Sequence, residues 1–233
     1  MEEAPLETFP ALSALPGIAH GFVGRVPAIE VETDRETALA QLAAMHKQAA
    51  ETLGLARHVF AFGEQVHGRE VAIVDASTAF PVAGVDGVIT ADPGVRLGVY
   101  VADCCAVYLV EPERRVIALL HSGRKGSALG IAAAAVAQMR ESFDCDPAKI
   151  VVQLSPCIRP PHFEIDFAEL IAAQCRAAGV RKVFDAGICT ATHVDRYYSY
   201  RRERGKTGRM LALLALTPMS RTIKEVDSGA VGA

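Results

Sequence analysis

The sequence predicts a single α/β domain in which helices flank a mixed sheet. Along the chain, short apolar segments alternate with longer segments that carry apolar residues at helical intervals. The chain has 233 residues, of which 51% are hydrophobic, and domains of this length and class commonly form one unit. We therefore expect residues 1–233 to form one domain, with an irregular arm at 1–16 and a flexible tail at 222–233.

The composition limits the classes of partner and compartment. With a formal net charge of −3 and scattered basic residues, the chain lacks the basic stripe of nucleic-acid-binding proteins. The acidic N-terminal segment does not have the layout of a signal peptide, and no uncharged apolar run reaches the roughly 18 residues of a membrane span. We expect a cytoplasmic monomer that binds a small molecule and neither nucleic acid nor membrane. Its six cysteines are then thiols or ligands, not disulfides.

The first elements are a strand and a long helix. Residues 18–23 are typical of a short strand. Residues 33–36 have the spacing of a capping box, and the apolar residues that follow at helical intervals predict a helix that Gly54 ends. His46 lies on this helix with no partner nearby in sequence, so we expect a surface histidine.

A glycine-bounded connection follows the helix. Residues 59–62 and 71–74 resemble strands, and between them Gly63 and Gly68 let the backbone turn tightly. This connection presents His67, and a histidine on a loop is a better functional candidate than one in a core.

The longest apolar run, Leu97 to Val110, is predicted to be one buried central strand. Residues 111–115 form a turn, and residues 116–120 return as an antiparallel strand that ends at His121. The run contains Asp103, and because an unpaired buried carboxylate is costly, we expect this side chain to have a specific partner.

The glycine-bearing segment after His121 contains Arg124 and Lys125 and precedes a predicted helix at 127–142. Freed backbone amides and two cations at a helix start indicate an anion site, and a solvated loop is an equal alternative. Residues 150–154 and 211–216 are predicted strands. Asp166 caps a further helix that runs to Ala178.

His67, Cys104 and His121 lie at the ends of, or within, predicted strands and can converge. Two imidazoles and one thiolate can hold a tetrahedral zinc ion with a fourth position open for water or substrate. The same residue types also allow nucleophilic catalysis by Cys104 or Cys105 with a histidine. Strand alternation places Cys104 on one face and Asp103 with Cys105 on the other, so one thiol lines the pocket.

Six motifs in order resemble the YfiH family, also called the laccase-domain or polyphenol oxidase family, from about His20 to Leu216. The motifs are Gln65–Gly68, Asp86–Thr90, Ala102–Cys104, His121–Gly123 with Gly126, Ser155–Ile158 with Phe163–Glu164, and Ser199–Arg202 with Thr207–Met210. The resemblance implies an α/β fold distantly similar to deamidating toxin domains, and zinc held by His67, Cys104 and His121.

The family resemblance also implies an activity and substrate contacts. Members are known for purine nucleoside phosphorylase activity, some for adenosine deamination, and one branch for peptidoglycan-precursor editing. By carry-over, Gln65, Arg25 and Arg201 are candidate substrate or phosphate contacts. The family usually has His-Ala-Gly-Trp-Arg-Gly, whereas here Arg124 stands at the tryptophan position and Lys125 at the arginine position.

Three functional hypotheses follow. The first is a zinc-dependent enzyme acting on adenosine or inosine with phosphate, in which Asp103 and Cys104 are catalytic and Arg124, Lys125 and Arg201 hold anionic oxygens. The second is a metal-free cysteine hydrolase or amidase, and the third is a non-catalytic metal-binding relative. A multicopper oxidase is disfavoured because none of the seven histidines forms a His-x-His pair.

Overall fold

A computed structural model describes residues 3–218 of the chain. The strands are β1 (Leu6–Glu7), β2 (Ile18–Val23), β3 (Val59–Ala61), β4 (Val71–Ile73), β5 (Gly87–Thr90), β6 (Val95–Val101), β7 (Cys105–Glu111), β8 (Val116–Ser122), β9 (Val151–Leu154), β10 (Lys182–Asp185) and β11 (Met210–Leu216). The helices are α1 (Pro10–Ser13), α2 (Arg35–Thr52), α3 (Arg124–Ala128), α4 (Ile131–Phe143) and α5 (Phe167–Ala177).

The strands form two mixed sheets. The first has the order β1-β2-β11-β6-β3, and only its β3/β6 pair is parallel. The second has the order β10-β9-β7-β8-β5-β4, with parallel pairs at both edges and antiparallel pairs between them. The predicted α/β class with mixed pairing is confirmed, although the strands are divided between two sheets.

The two sheets pack face to face and helices cover their outer faces. Alternate residues of β7 point in opposite directions: Tyr108 packs against the first sheet, whereas Leu109 packs against α4 and α5. On the outer side of the first sheet, Ala49 and Ala50 of α2 pack against β2 and β11. A strand covered on both faces needs apolar residues at every position, and this explains the continuous apolar run.

The run from Leu97 to Val110 is two strands, and the prediction of one central strand was wrong. Strand β6 belongs to the first sheet and β7 to the second, so the chain crosses between sheets at Ala102, Asp103 and Cys104. Asp103 has a φ of 77°, a left-handed conformation that ends extended structure. The residues that carry the candidate chemistry therefore lie in a turn between sheets.

The N-terminal arm is more regular than predicted. Strand β1 pairs antiparallel with β2, and α1 follows it with Leu12 fully buried. Phe9 contacts the rings of His20 and Tyr108, and its backbone N–H donates to His20 Nε2 at 2.8 Å. Burial of these apolar side chains orders the arm. The predicted flexible tail at 222–233 lies outside the described residues.

Three details of the helices differ from the predictions. Asp34, not Thr33, caps α2, because its carboxylate accepts from Thr37 N–H at 3.0 Å. His46 is buried on α2 against Tyr100, so it is not a surface histidine. The segment predicted as one helix at 127–142 is α3 and α4, separated by Gly130 at a φ of 79°.

The other predicted strands and the helix that Asp166 caps are present. Within residues 3–218, none of the helices combines the length and the apolar character that crossing a membrane requires.

Candidate active site

The turn between the sheets brings together three side chains from distant parts of the chain. His67 comes from the loop between β3 and β4, Cys104 from the β6–β7 turn, and His121 from β8. One ligand atom from each lies within 4.8 Å of the other two, and the imidazole rings meet edge to face with centroids 4.8 Å apart. This arrangement can hold a metal ion.

Asp86, immediately before β5, fixes the position of both histidines. Its buried carboxylate accepts hydrogen bonds from the backbone N–H groups of Val66, His67 and Gly68 at 3.1, 2.8 and 2.6 Å. The same carboxylate contacts His121 Nδ1 at 2.8 Å. The Nδ1 proton therefore faces Asp86, which leaves the lone pair of His121 Nε2 available for a metal.

The Cys104 sulfur lies close to Gly123, the residue between β8 and α3. A side chain at Gly123 would place its Cβ 2.5 Å from Cys104 Sγ, so only glycine leaves room for the sulfur. Partial burial raises the pKa of the thiol, but the charges and hydrogen bonds of His121 and His67 outweigh it and bring the pKa to about 6. Cys104 is thus set up as a thiolate, which is the metal-binding and nucleophilic form.

The neighbouring thiol does not reach the pocket. Cys105 begins β7, is fully buried and packs in the core beneath the second sheet, with its sulfur 3.8 Å from the Ser155 carbonyl oxygen. Strand alternation had predicted that one thiol faces the pocket. The outcome agrees, but the reason is the turn, since Cys104 precedes the strand.

Asp103 has the partners that its burial requires. One carboxylate oxygen accepts from the Thr190 hydroxyl at 2.7 Å and the other from the Arg201 backbone N–H at 2.7 Å, while its carbonyl accepts from Ile158 N–H. Both oxygens are therefore engaged in holding loops around the turn. This geometry favours a positioning role for Asp103, and its predicted catalytic role stays a prediction.

Gln65 and Arg25, predicted to contact substrate, have different surroundings. The Gln65 amide makes two hydrogen bonds to the backbone of Tyr100, at 2.6 and 3.0 Å, and so fastens the His67 loop to β6. Gln65 still lines the pocket. The structure does not bring Arg25 there: its guanidinium pairs with Glu203 at 2.7 Å and stacks over Tyr198 beside a separate cavity.

The three candidate ligands open into a cavity of about 880 Å³ with a strongly cationic lining. Arg124, Lys125 and Arg201, predicted as anion contacts, all line it. Glu164 bridges two of them, with one carboxylate oxygen 3.1 Å from Arg124 and the other 3.1 Å from Arg201. The side chains of this bridge are about half exposed.

Three further arginines, Arg35, Arg204 and Arg209, line the same cavity and were not predicted. They come from the start of α2, the loop after residue 199 and the entry to β11. The high proportion of arginine in residues 201–209 indicates a cationic site, but nothing in the sequence places Arg35 near that segment. Asp86 was also missed, since its motif was noticed without a role for the carboxylate.

Comparison with known proteins gives a consistent result. A family model described as "Multi-copper polyphenol oxidoreductase laccase" matches residues 28–168 and 162–217. Purine nucleoside phosphorylase SCO2081 of Streptomyces coelicolor is 34% identical over 189 residues, covering 70% of this chain and 77% of the relative. A purine nucleoside phosphorylase of Deinococcus radiodurans is 33% identical over 211 residues, covering 78% and 80%.

Solved structures show the same fold. YlmD of Geobacillus stearothermophilus superposes with a TM-score of 0.80 at 24% identity, covering 92% of this chain and 100% of that one. YfiH of Bacillus licheniformis gives a TM-score of 0.77 at 23% identity, covering 91% and 99%. At these identities the match concerns the fold, including its two mixed sheets and flanking helices.

Proposed function

The chain belongs to the family described as multi-copper polyphenol oxidoreductase laccase, and from this premise we propose that it is a zinc-dependent purine nucleoside phosphorylase. The observation that carries the proposal is the joining of a His-Cys-His group and a cationic lining in one cavity. The proposed reaction needs a bound anion and a polarising centre beside the nucleoside, and this cavity offers sites for both.

The residues present fit zinc. Two imidazoles and a thiolate are ligands that zinc prefers, and three protein ligands leave a position open, as in catalytic zinc sites. The hydrogen bond from His121 Nδ1 to Asp86 is the outer contact that orients a metal-binding histidine. Bound zinc would act as a Lewis acid on an oxygen of phosphate or substrate.

The residues of this chain have definite tasks in the reaction. Lys125 lines the cavity and would hold an oxygen of inorganic phosphate. Tyr100 and Phe163 line it too, and their rings can pack against a purine. A phosphate oxygen then forms the bond to C1′ of the ribose as the bond to the purine nitrogen breaks, and the proton of the hydrogen phosphate passes to the leaving base.

Copper oxidase chemistry is not proposed despite the family description. Multicopper sites need several histidine clusters, and among residues 3–218, which include all seven histidines, the single metal-ligand group is His67 with Cys104 and His121. Deamination is not part of the proposal either, because the relatives are named as phosphorylases and no observation of the site favours it. Cytoplasmic location and the monomeric state stay predictions.

Phosphate-dependent release of base from adenosine and inosine by the zinc-loaded protein tests the proposal. We expect the release to fall more than about 100-fold in His67→Ala and Cys104→Ala. Matched controls are His193→Ala, at an exposed histidine, and Cys105→Ala, at the neighbouring buried thiol. No base release from either nucleoside in the presence of phosphate would refute the proposal.

The alternative of a metal-free cysteine hydrolase rests on one observation, the lowered pKa of Cys104. Iodoacetamide labelling separates the two functions, because a zinc-bound thiolate is protected until the metal is removed. We expect Cys104 to be labelled only after chelation. If the protein is purified without metal, and if Cys104 is then labelled rapidly and an amide is hydrolysed, these results would favour the hydrolase.

A further inference from the structure

The cavity of about 880 Å³ at the candidate ligands has more positive charge in its lining than one phosphate ion can balance. Six cationic side chains line it, while the carboxylates near them are Asp103, with both oxygens engaged, and Glu164. The six are Arg35, Arg124, Lys125, Arg201, Arg204 and Arg209. Inorganic phosphate carries between about one and two negative charges at neutral pH, so the cavity suits a ligand with a second anionic group.

Several of these cations have defined contacts within the lining. Arg124 and Arg201 share Glu164, and Arg201 also stacks on the Phe163 ring at 4.9 Å. Arg209 donates to the carbonyls of Thr207 and Gly208, which holds it in place. Arg35 lines the same cavity as Arg209, and the burial of Arg209 together with the charge of Arg35 lowers the pKa of Arg209.

Glu164 shows how Arg124 and Arg201 bind an anion. Its two carboxylate oxygens are divided between Arg124 Nη1 and Arg201 Nη2, each at 3.1 Å, and a phosphate oxygen pair can accept in the same way. Ion pairs between half-exposed side chains are weak because water screens them, so an incoming phosphate replaces Glu164 at little cost. Glu164 therefore occupies a subsite that a more highly charged group can take.

We propose that the substrate is a purine nucleoside that itself carries a phosphomonoester, held by Arg124 and Arg201, while a separate inorganic phosphate binds Lys125 and the remaining arginines of the lining. This inference rests on the proposed function and narrows its substrate class. In the reaction, the bond from C1′ to the purine nitrogen breaks and a bond from C1′ to a phosphate oxygen forms. The products are the free base and a pentose bisphosphate.

Calorimetric binding of adenosine and adenosine 5′-monophosphate to the zinc-loaded protein, with and without saturating inorganic phosphate, tests this. We expect the monophosphate to bind at least about tenfold more tightly than adenosine, and the preference to persist with inorganic phosphate present. Arg124→Gln should abolish the preference, and Glu164→Gln should increase it. The matched control is Arg140→Gln, which removes an exposed arginine paired with Glu141 on α4.

Equal binding of the two ligands, loss of the preference when inorganic phosphate is added, or an unchanged preference in Arg124→Gln would overturn the inference. These outcomes are independent of turnover. Base release from adenosine without any preference for the monophosphate leaves the proposed function standing and this inference refuted. If the preference depends on Arg124 but no nucleoside releases its base, the inference about phosphomonoester binding stands and the proposed function is refuted.

Discussion

A single carboxylate, Asp86, organises the candidate metal site. It accepts hydrogen bonds from three consecutive backbone N–H groups of the His67 loop and contacts His121 Nδ1, and it is only 1% exposed. Backbone bonds fix where His67 is presented, and the side-chain bond fixes the tautomer of His121. One residue thus sets the geometry of two of the three candidate ligands.

Asp86→Asn should weaken zinc binding by about 10- to 100-fold. The asparagine amide cannot accept all of these hydrogen bonds, and it removes the negative charge that lies beside His121. Competition with a chromogenic chelator measures the affinity directly, without reference to activity. Asp34→Asn is the matched control, since it removes one exposed carboxylate while asparagine keeps the cap of α2. Equal affinity in Asp86→Asn and wild type would show that the contact does not position the ligands.

The residues that sequence reasoning identified and those that it missed differ in a physical way. Cysteine and histidine are rare and have few structural uses, so His67, Cys104 and His121 stood out in motifs that resemble a family. Asp86 is chemically common, and its role depends on a loop that folds over it from 18 to 20 residues away. Arg35 enters the cavity through the placement of α2, which no local pattern encodes.

At the scale of elements, periodicity located strands but not their breaks. Every residue of the Leu97–Val110 run except Asp103 is compatible with a strand, and Asp103 interrupts it through its backbone conformation. Aspartate adopts positive φ more readily than most residues, which is a weak signal among the thirteen other residues of this apolar run. Similarly, an alanine-rich helical pattern continues through Gly130, and only the structure shows the left-handed residue that separates α3 from α4.

His20 on β2 and His46 on α2 are buried, and both make the stability of the protein depend on pH. Burial lowers the pKa of His20 and of His46 from 6.5 to about 4 in the folded protein. Between these values the unfolded chain binds protons that the folded chain does not. The contribution of these histidines to the free energy of unfolding is therefore fully present above pH 6.5. It is lost as the pH falls toward 4, by up to about 1.4 kcal/mol per pH unit for each histidine.

Urea denaturation of wild type and His20→Gln between pH 7 and about pH 4.5 measures this effect. Glutamine can still accept the Phe9 N–H but does not titrate, so we expect the variant to have a smaller slope of unfolding free energy against pH than wild type. His193→Gln, at an exposed histidine, should keep the wild-type slope. If His20→Gln keeps it as well, His20 is not the titrating group.

At the scale of the molecule, the fold class could be predicted from the sequence, but the pairing of distant strands could not. Strand β11 inserts between β2 and β6, which joins residues 210–216 to residues 18–23 and 95–101 in one sheet. No local pattern contains the information that the last strand completes the first sheet. The same long-range pairing closes the molecule around the β6–β7 turn, where the three candidate ligands meet.

Because the candidate ligands come from residues 67, 104 and 121, only the folded chain presents them together, and a zinc ion bound to them would stabilise that state. A zinc concentration 100-fold above the dissociation constant adds about 2.7 kcal/mol to the free energy of unfolding. For a chain of this size, that corresponds to a rise in Tm of about 5–10 °C. Thermal unfolding followed by circular dichroism, with zinc and then with excess chelator, measures the shift, and His67→Ala should lose it while His193→Ala keeps it. An identical Tm with and without chelator would mean that zinc does not bind the folded protein at this site.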